Sequence, residues 1–435
     1  MALIPLLIIV LYYLVAYFFS NIKTRMLAIL FVVFASGLGG ILMIARFVLY
    51  PLFSGWLSLM DLWAADGFIF FTLFHSPHFM LALSLMLLIF LWTILALEKK
   101  QWRYSIYSGL AALILFQFHP YDIPTTVLVM VGFVLLLMAK NKKINWFNIK
   151  HCLLVLLISS PALIYHLWTY RAFWLKQIIS AQNDCFTPAL GKTILSYGCP
   201  LVLGLIGLVY ILKYKTFKDK EMFLVVWLII QGALIYFPFN MQRRFILGLQ
   251  VVINILAIFG LIYLKNIFKI KRPLSSGQTA ILIAGALIVL TGSNYLILIM
   301  SFYPIINPGP IYYLENSRLE AMQWLKNNTS PKSVVLSSCP NCNLIPAFGL
   351  RRVYLGHWDF TVNSKQKLAL LNYFFQKNNP NDGRKNFLLK NNINYIFYSK
   401  KGEGFGPFNP NTKSYLKEVY QNPDITIYQV NQHAR

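Results

Sequence analysis

The stretch PHFMLALSLMLLIFLWTILAL, residues 77–97, runs its whole length without an aspartate, glutamate, lysine or arginine. A helix of about 20 apolar residues crosses a hydrocarbon core of roughly 30 Å, so this segment reads as a transmembrane helix. Outward from it, comparable apolar runs recur at about 2–20, 26–44, 104–118, 123–139, 150–168, 194–212, 222–238, 246–264 and 279–300. Composition agrees, with 57% hydrophobic and only 12% charged residues, where soluble domains carry roughly 25% charged. The predicted fold class is an all-α polytopic membrane bundle of about ten transmembrane helices, followed by a small soluble α/β domain. The boundary is expected near residue 302, giving a transmembrane domain over 1–302 and an extracytoplasmic domain over 303–435.

Orientation follows from the basic residues, because lysine and arginine are retained in cytoplasmic loops. Alternate connections hold 17 of them, in clusters such as Lys99, Lys100 and Arg103, or Lys213, Lys215, Lys218 and Lys220. The opposite connections hold six: Arg46, Arg171, Lys176, Lys192, Arg243 and Arg244. Both the N-terminus and the C-terminal domain are therefore expected outside. Of the 39 basic residues 17 are spent on cytoplasmic anchoring, so the net charge of +25 does not call for nucleic acid. A helix that starts outside with no preceding signal leaves two readings: a true N-out protein, or a chain lacking an upstream helix and external loop.

Past Ser301 the pattern changes to that of an α/β domain. A helix is expected from Arg318 to Lys326 with Ser317 as its N-cap. Strands are expected at Val334–Ser338, Val353–Gly356, Tyr395–Ser399 and, as a last edge strand, Thr426–Val430, with helical segments at Gln366–Phe375 and Lys385–Leu389. Five cysteines are too few for a disulfide scaffold. Cys339-Pro-Asn-Cys342 admits a redox site, a local disulfide or two thiols. Phosphate-cradling glycine loops, nucleophile elbows and His-Glu-x-x-His are absent from the sequence.

The expected topology sorts polar residues by side, and the outer set carries the chemistry. It includes Asp61 and Asp66 in an aromatic-rich stretch read as an interfacial helix, His75 and His78 around Ser76-Pro77, His119 and Asp122 around Pro120-Tyr121, and Arg243-Arg244. Ionisable groups at membrane depth default to function. Asp66 and Asp61 are candidate general bases, although each also suits a water-facing or capping role. Arg243 and Arg244 suit a phosphate clamp or headgroup snorkelling. His75 and His78, three residues apart, would share a helical face and suit a metal, a substrate contact or the start of a helix. His119 and Asp122 suit substrate binding or the ends of two spans. A divalent metal is left open.

Ser76-Pro77-His78-Phe79 opening a span and His119-Pro120-Tyr121-Asp122 closing the next resemble the GT-C class of membrane glycosyltransferases. That class includes the dolichyl-phosphate-mannose–protein mannosyltransferases and bacterial lipid-A-modifying enzymes. In the tail, Ala321-Met-Gln-Trp-Leu-Lys-Asn-Asn-Thr-Ser-Pro331, Val334-Val-Leu-Ser and Arg352-Val-Tyr-Leu-Gly-His357-Trp resemble external domains of the same class. The resemblance implies transfer of a sugar from a polyprenyl-phosphate carrier to an acceptor of unknown identity, on the outer face of what composition suggests is a bacterial plasma membrane. Its partners would be the lipid-linked donor and membrane lipids. In that class a carboxylate of the first external loop commonly serves as base and basic residues hold the lipid phosphate. No such loop precedes Leu3–Ser20, so Asp66 is read either as base or as a donor-binding residue. Two readings from other classes stand beside it. One is a transporter or flippase of an amphipathic solute, for which Ser36-Gly-Leu-Gly-Gly40 is a candidate helix break. The other is a non-catalytic scaffold, indifferent to Asp66 and Arg243.

Overall fold

The structure is a computed structural model that describes residues 2–48, 59–214, 218–268, 276–307, 313–338, 341–375, 381–400 and 408–431. Two compact units emerge: residues 1–172 with 184–301, and residues 173–183 with 302–435.

The first unit is helical. Its elements are α1 (Leu3–Phe18), α2 (Ile22–Phe34), α3 (Gly39–Val48), α4 (Ile69–His75), α5 (Pro77–Lys99), α6 (Trp102–Phe118), α7 (Asp122–Asn141) and α8 (Trp146–Ala172). After α9 (Trp174–Gln182), which belongs to the second unit, come α10 (Leu190–Tyr214), α11 (Asp219–Leu234), α12 (Leu249–Phe268) and α13 (Ser276–Ile306). Among the described residues six helices are long and apolar enough to cross a membrane, or seven if α2 and α3, bent by 47°, count as one span. Each of the ten expected spans coincides with a helix or with that bent pair. Three of them, α1, α6 and α11, have only 16 or 17 residues, short of the roughly 20 needed for a full crossing. The chain is an integral membrane protein.

Local chemistry sets several helix ends. Asn21 accepts hydrogen bonds from the Lys23 and Thr24 amides and caps α2. Pro77 occupies the first turn of α5, where its missing N–H costs nothing. Lys100 and Lys142 adopt left-handed conformations that end α5 and α7.

The expected break at Ser36–Gly40 is present, and several of its backbone groups are met by side chains, while the Ser36 and Leu38 amides donate to the carbonyls of Leu290 and Leu195. Asn254, Asn294 and Gln250 donate to the carbonyls of Phe31, Phe34 and Ala35 at 3.2, 2.6 and 2.6 Å. On the other side of the break, the Gly39 amide donates to Asp61 Oδ2 at 2.9 Å and the Gly40 amide to Ser293 Oγ at 2.8 Å. Within a bilayer such groups have no water to fall back on. Elsewhere α10 and α12 meet backbone to backbone. A Cβ on Gly207 would lie 1.9 Å from the Leu256 carbonyl oxygen, and one on Gly260 2.2 Å from that of Leu203. Small residues at a helix crossing permit this approach. Gly198, at φ 47°, kinks α10.

The second unit carries a five-stranded mixed sheet. Its strands are β1 (Val334–Ser337), β2 (Arg352–Val353), β3 (Tyr395–Ser399), β4 (Leu416–Gln421) and β5 (Ile425–Val430), in the order β2-β1-β3-β5-β4. β1 pairs in parallel with β2 and β3, whereas β5 is antiparallel to β3 and β4. Its helices are α9 and α14 (Asn316–Asn328), α15 (Asn341–Leu344), α16 (Ser364–Phe375) and α17 (Asn381–Lys390). β5 is thus interior, and β4, exposed at three of its six positions, takes the edge that the sequence assigned to Thr426–Val430. Ser317 is not the cap of α14; Glu315 is, and the Ser317 hydroxyl donates to Asp424 Oδ2 at 2.6 Å. Cys342 is buried and disulfide-bonded, and Cys339 lies outside the described residues. Gln182, at the end of α9, donates to the carbonyls of Asp359 and Thr361 and accepts from the Asn363 amide.

Candidate functional site

At the N-terminal ends of α5 and α7, four connections of the helical unit bring charged side chains together. The 3-10 turn Gln242–Ile246, between α11 and α12, presents Arg243 and Arg244. That turn is fixed from behind by Gln231 of α11. Its amide nitrogen donates to the carbonyls of Phe245 and Leu247 at 2.8 and 2.7 Å, and its oxygen accepts from Trp227 Nε1 at 2.6 Å. The Arg243 amide also donates to the Cys185 carbonyl.

Arg243 Nη1 donates to both oxygens of Asp66, at 2.7 and 3.0 Å, and its guanidinium lies 5.0 Å from the Trp63 ring centre. Arg244 Nη1 stands 3.6 Å from Asp66 Oδ2. Asp66 is 4% exposed. One buried carboxylate thus faces two guanidinium groups, and the pair keeps net positive charge. Arg244 Nε is buried with no partner among the described residues.

His119, closing α6, and Asp122, opening α7, form a second pair. His119 Nδ1 and Asp122 Oδ2 are 2.9 Å apart, and both residues are buried. Asp122 therefore serves His119 and does not cap α7 with its side chain. The His119 ring packs edge-on against Phe79, and the exposed His78 ring centre lies 6.5 Å away. His78 feels the charges of His119, Arg244 and Asp66, and Asp122 that of Asp66, so the two pairs share one electrostatic environment. Thr125 and Thr126 on the first turns of α7, and Tyr197 of α10, place buried hydroxyls without partners among the described residues. Tyr197 packs against Phe68 with ring centres 5.1 Å apart and the planes tilted by 30°, and feels both Asp66 and Asp61.

Two candidates stand apart. His75 does not share a helical face with His78. Ser76, at φ −135° and ψ 84°, separates α4 from α5, and His75 packs against Phe71. Asp61 lies in a single 3-10 turn, Met60–Leu62, not in the interfacial helix expected of this stretch. Its Oδ2 accepts from the Gly39 amide and from Ser293 Oγ at 2.6 Å, and its Oδ1 has no partner among the described residues. Burial pushes its carboxyl up to about 6.

Among the described residues no group of three or more His, Cys, Asp or Glu side chains is placed to hold a metal ion. Asp66 spends both oxygens on guanidinium groups, whose charge opposes a cation. Tyr197, Trp63 and Gln231 were not read from the sequence as site residues. Of these only Tyr197 had a signal, standing just before the Gly198-Cys-Pro200 interruption of an apolar run.

No family model matches the chain, and no curated protein matches it. Solved structures do. The chain is similar to the archaeal oligosaccharyltransferase AglB from Archaeoglobus fulgidus in complex with an inhibitory peptide and a dolichol-phosphate. The TM-score is 0.52 at 13% identity, over 92% of this chain and 57% of that one. The apo form of the Archaeoglobus fulgidus oligosaccharyltransferase gives 0.52 at 13%, over 91% and 57%. Its complex with zinc and sulfate gives 0.51 at 13%, over 91% and 55%. The fold is therefore shared with a membrane glycosyltransferase, as the GT-C resemblance implied. The chain spans little more than half the length of the solved chains it matches.

Proposed function

We propose that the chain acts in GT-C-type transfer of a sugar from a polyprenyl-phosphate carrier to a hydroxyl acceptor. The observation that carries the proposal is the meeting of the Asp66–Arg243–Arg244 cluster with the His119–Asp122 pair at one end of a helical unit that has this fold. The site would face the outer side of a bacterial plasma membrane, with the C-terminal unit also outside.

Transfer needs a cation for the departing phosphate and an acceptor for the hydroxyl proton. Arg244, held at its Asp66 side and unmatched at Nε, supplies the first, and Arg243 is fixed beside it by the two bonds to Asp66. Both oxygens of Asp66 are engaged by guanidinium groups. Asp66 is accordingly assigned to positioning the arginines and binding the donor, in place of proton abstraction. His119 supplies the second function: its Nδ1 is committed to Asp122, which orients the ring and leaves Nε2 to take a proton. The acceptor oxygen bonds to the anomeric carbon, the bond from that carbon to the phosphate oxygen breaks, the phosphate leaves toward Arg244, and the hydroxyl proton passes to His119 Nε2. Asp61, pinned at the helix break, serves the frame.

The test uses membranes containing the chain, a polyprenyl-phosphate-linked radiolabelled sugar and a total envelope fraction as acceptor source. Wild-type membranes should release polyprenyl phosphate and label the acceptor. Arg244→Gln and His119→Gln should each slow release by about a hundredfold or more, with Arg244→Lys intermediate. Release unchanged in both glutamine variants would remove the reading.

A further inference from the structure

α5 and α7 begin at the Asp66–Arg243 site and end on the opposite face of the helical unit, about 30–35 Å away at 1.5 Å per residue. There a cavity opens, of about 690 Å³, which the reaction above does not use. Lys100, Lys218 and Lys220 line it, with Asn141, Asn145 and Asn148. Ile94 and Leu97 from the last turns of α5, and Phe133 and Leu137 of α7, give it an apolar wall.

The charges are not balanced within the protein. Of the two carboxylates in the lining, Asp219 is paired with Lys140, outside the cavity, at 2.9 Å, and Glu98 accepts from the Tyr17 hydroxyl at 3.0 Å. None of the three lysines has a carboxylate within 4 Å among the described residues. Lys100 gives one hydrogen bond to Asn148 Oδ1 at 2.7 Å and lies 5.2 Å from the Phe147 ring centre, and Lys220 reaches the Phe18 carbonyl at 3.5 Å. Partial burial lowers the pKa of Lys100, opposed by the more distant Asp219. Its position is set by the left-handed backbone at φ 53°, and two N–H donors of its ammonium remain for a ligand. The starts of α8 and α11 border the same space, and so do the ends of α5 and α7, so the helix dipoles largely offset one another there and the lysines supply the positive charge.

We propose that this cavity binds the phosphate of an anionic amphiphile, held by Lys100, Lys218 and Lys220, with the first carbons of its chain against Ile94, Leu97, Phe133 and Leu137. The site is independent of the sugar-transfer reading, since it shares no residue with it. Its ligand chemistry, a phosphate, could be presented by a membrane lipid or by a soluble phosphate compound, and the apolar wall favours the lipid.

Binding is measured on the full chain in a neutral detergent, by native mass spectrometry and thermal unfolding. The probes are dioctanoyl phosphatidic acid, dioctanoyl phosphatidylcholine and inorganic pyrophosphate. The wild type should bind phosphatidic acid at least tenfold more tightly than phosphatidylcholine. Lys100→Gln with Lys218→Gln should lose that tenfold preference, the paired Lys→Arg substitutions should restore it, and Lys265→Gln, at the end of α12, should leave it intact. If the double variant fails to fold, Lys218→Gln alone should lose about half the preference on a logarithmic scale. Pyrophosphate competing as well as phosphatidic acid would keep the phosphate site and assign it to a soluble ligand. Equal phosphatidic acid affinity in wild type and folded variants, or no preference over phosphatidylcholine, would overturn the proposal.

Discussion

Asp66 and Arg243, 177 positions apart in the chain, are joined by two hydrogen bonds of 2.7 and 3.0 Å in a buried setting. The pair locks the connection before α4 to the turn before α12. Removing one member of a buried pair strands the other, at a cost of about 3–5 kcal/mol. Asp66→Ala should therefore lower the unfolding temperature sharply. The double variant Asp66→Ala with Arg243→Ala should recover part of the loss, and a double-mutant cycle on detergent-solubilised protein reads the coupling. Purely additive losses would mean the contact contributes little.

Gln231 makes three hydrogen bonds to the frame of the arginine turn. Gln231→Leu leaves two carbonyls and an indole N–H unmatched, at about 1–3 kcal/mol each if they stay dry. We expect a destabilised protein that also binds a polyprenyl-phosphate sugar several-fold more weakly. Donor binding at wild-type strength in the folded variant would show that the turn holds its shape without Gln231.

Asp61 gives a pH signature. Its carboxyl titrates near 6 in the fold and at about 3.8 when exposed, so the unfolded chain ionises first as pH rises. Stability should fall between about pH 4 and pH 6 and stay level above, by about 3 kcal/mol at 1.36 kcal/mol per unit. Asp61→Asn, which can still accept from Gly39 and Ser293, should flatten this slope and melt no lower than wild type at pH 7.5. Chemical denaturation at a series of pH values checks both points; an unchanged slope in the variant would place the titration elsewhere.

Gly207 and Gly232 make a matched pair of glycine tests. A Cβ at Gly207 would strike the Leu256 carbonyl, whereas one at Gly232 meets nothing within 4 Å. Gly207→Ala should destabilise by about 1–3 kcal/mol through forced separation of α10 and α12. Gly232→Ala, inside α11, should stabilise by up to about 1 kcal/mol. Paired thermal melts decide, and a neutral Gly207→Ala would mean the crossing is looser than it looks.

What was legible in the sequence was what hydropathy and local chemistry encode: the apolar segments, the start of α5 at Pro77, the break at Ser36–Gly40 and an arginine pair out of place by charge. The partners of those features were not legible. Nothing near Asp66 points to a turn 177 positions later, and Gln231 reads as one polar residue in an apolar helix until its three acceptors and donors are seen. His75 and His78 looked cofacial because spacing assumes a continuous helix, which Ser76 interrupts. β4 escaped because an edge strand with a solvated face lacks the apolar alternation that marks a buried one. The helix break, raised as a sign of transport, has its backbone groups spent on Asn254, Asn294, Gln250, Ser293 and Asp61.

That same break sets a timetable for biogenesis. The carbonyls of Phe31, Phe34 and Ala35 wait for side chains on helices that begin more than 200 residues later. At about 5–20 residues per second of synthesis, that is an interval of roughly 10–40 s. Through it, α2 and α3 must sit in or beside the insertion machinery with their junction unsealed. A nascent chain halted before residue 249 should therefore remain attached to its insertase or chaperone, and release should coincide with the arrival of α12 and α13.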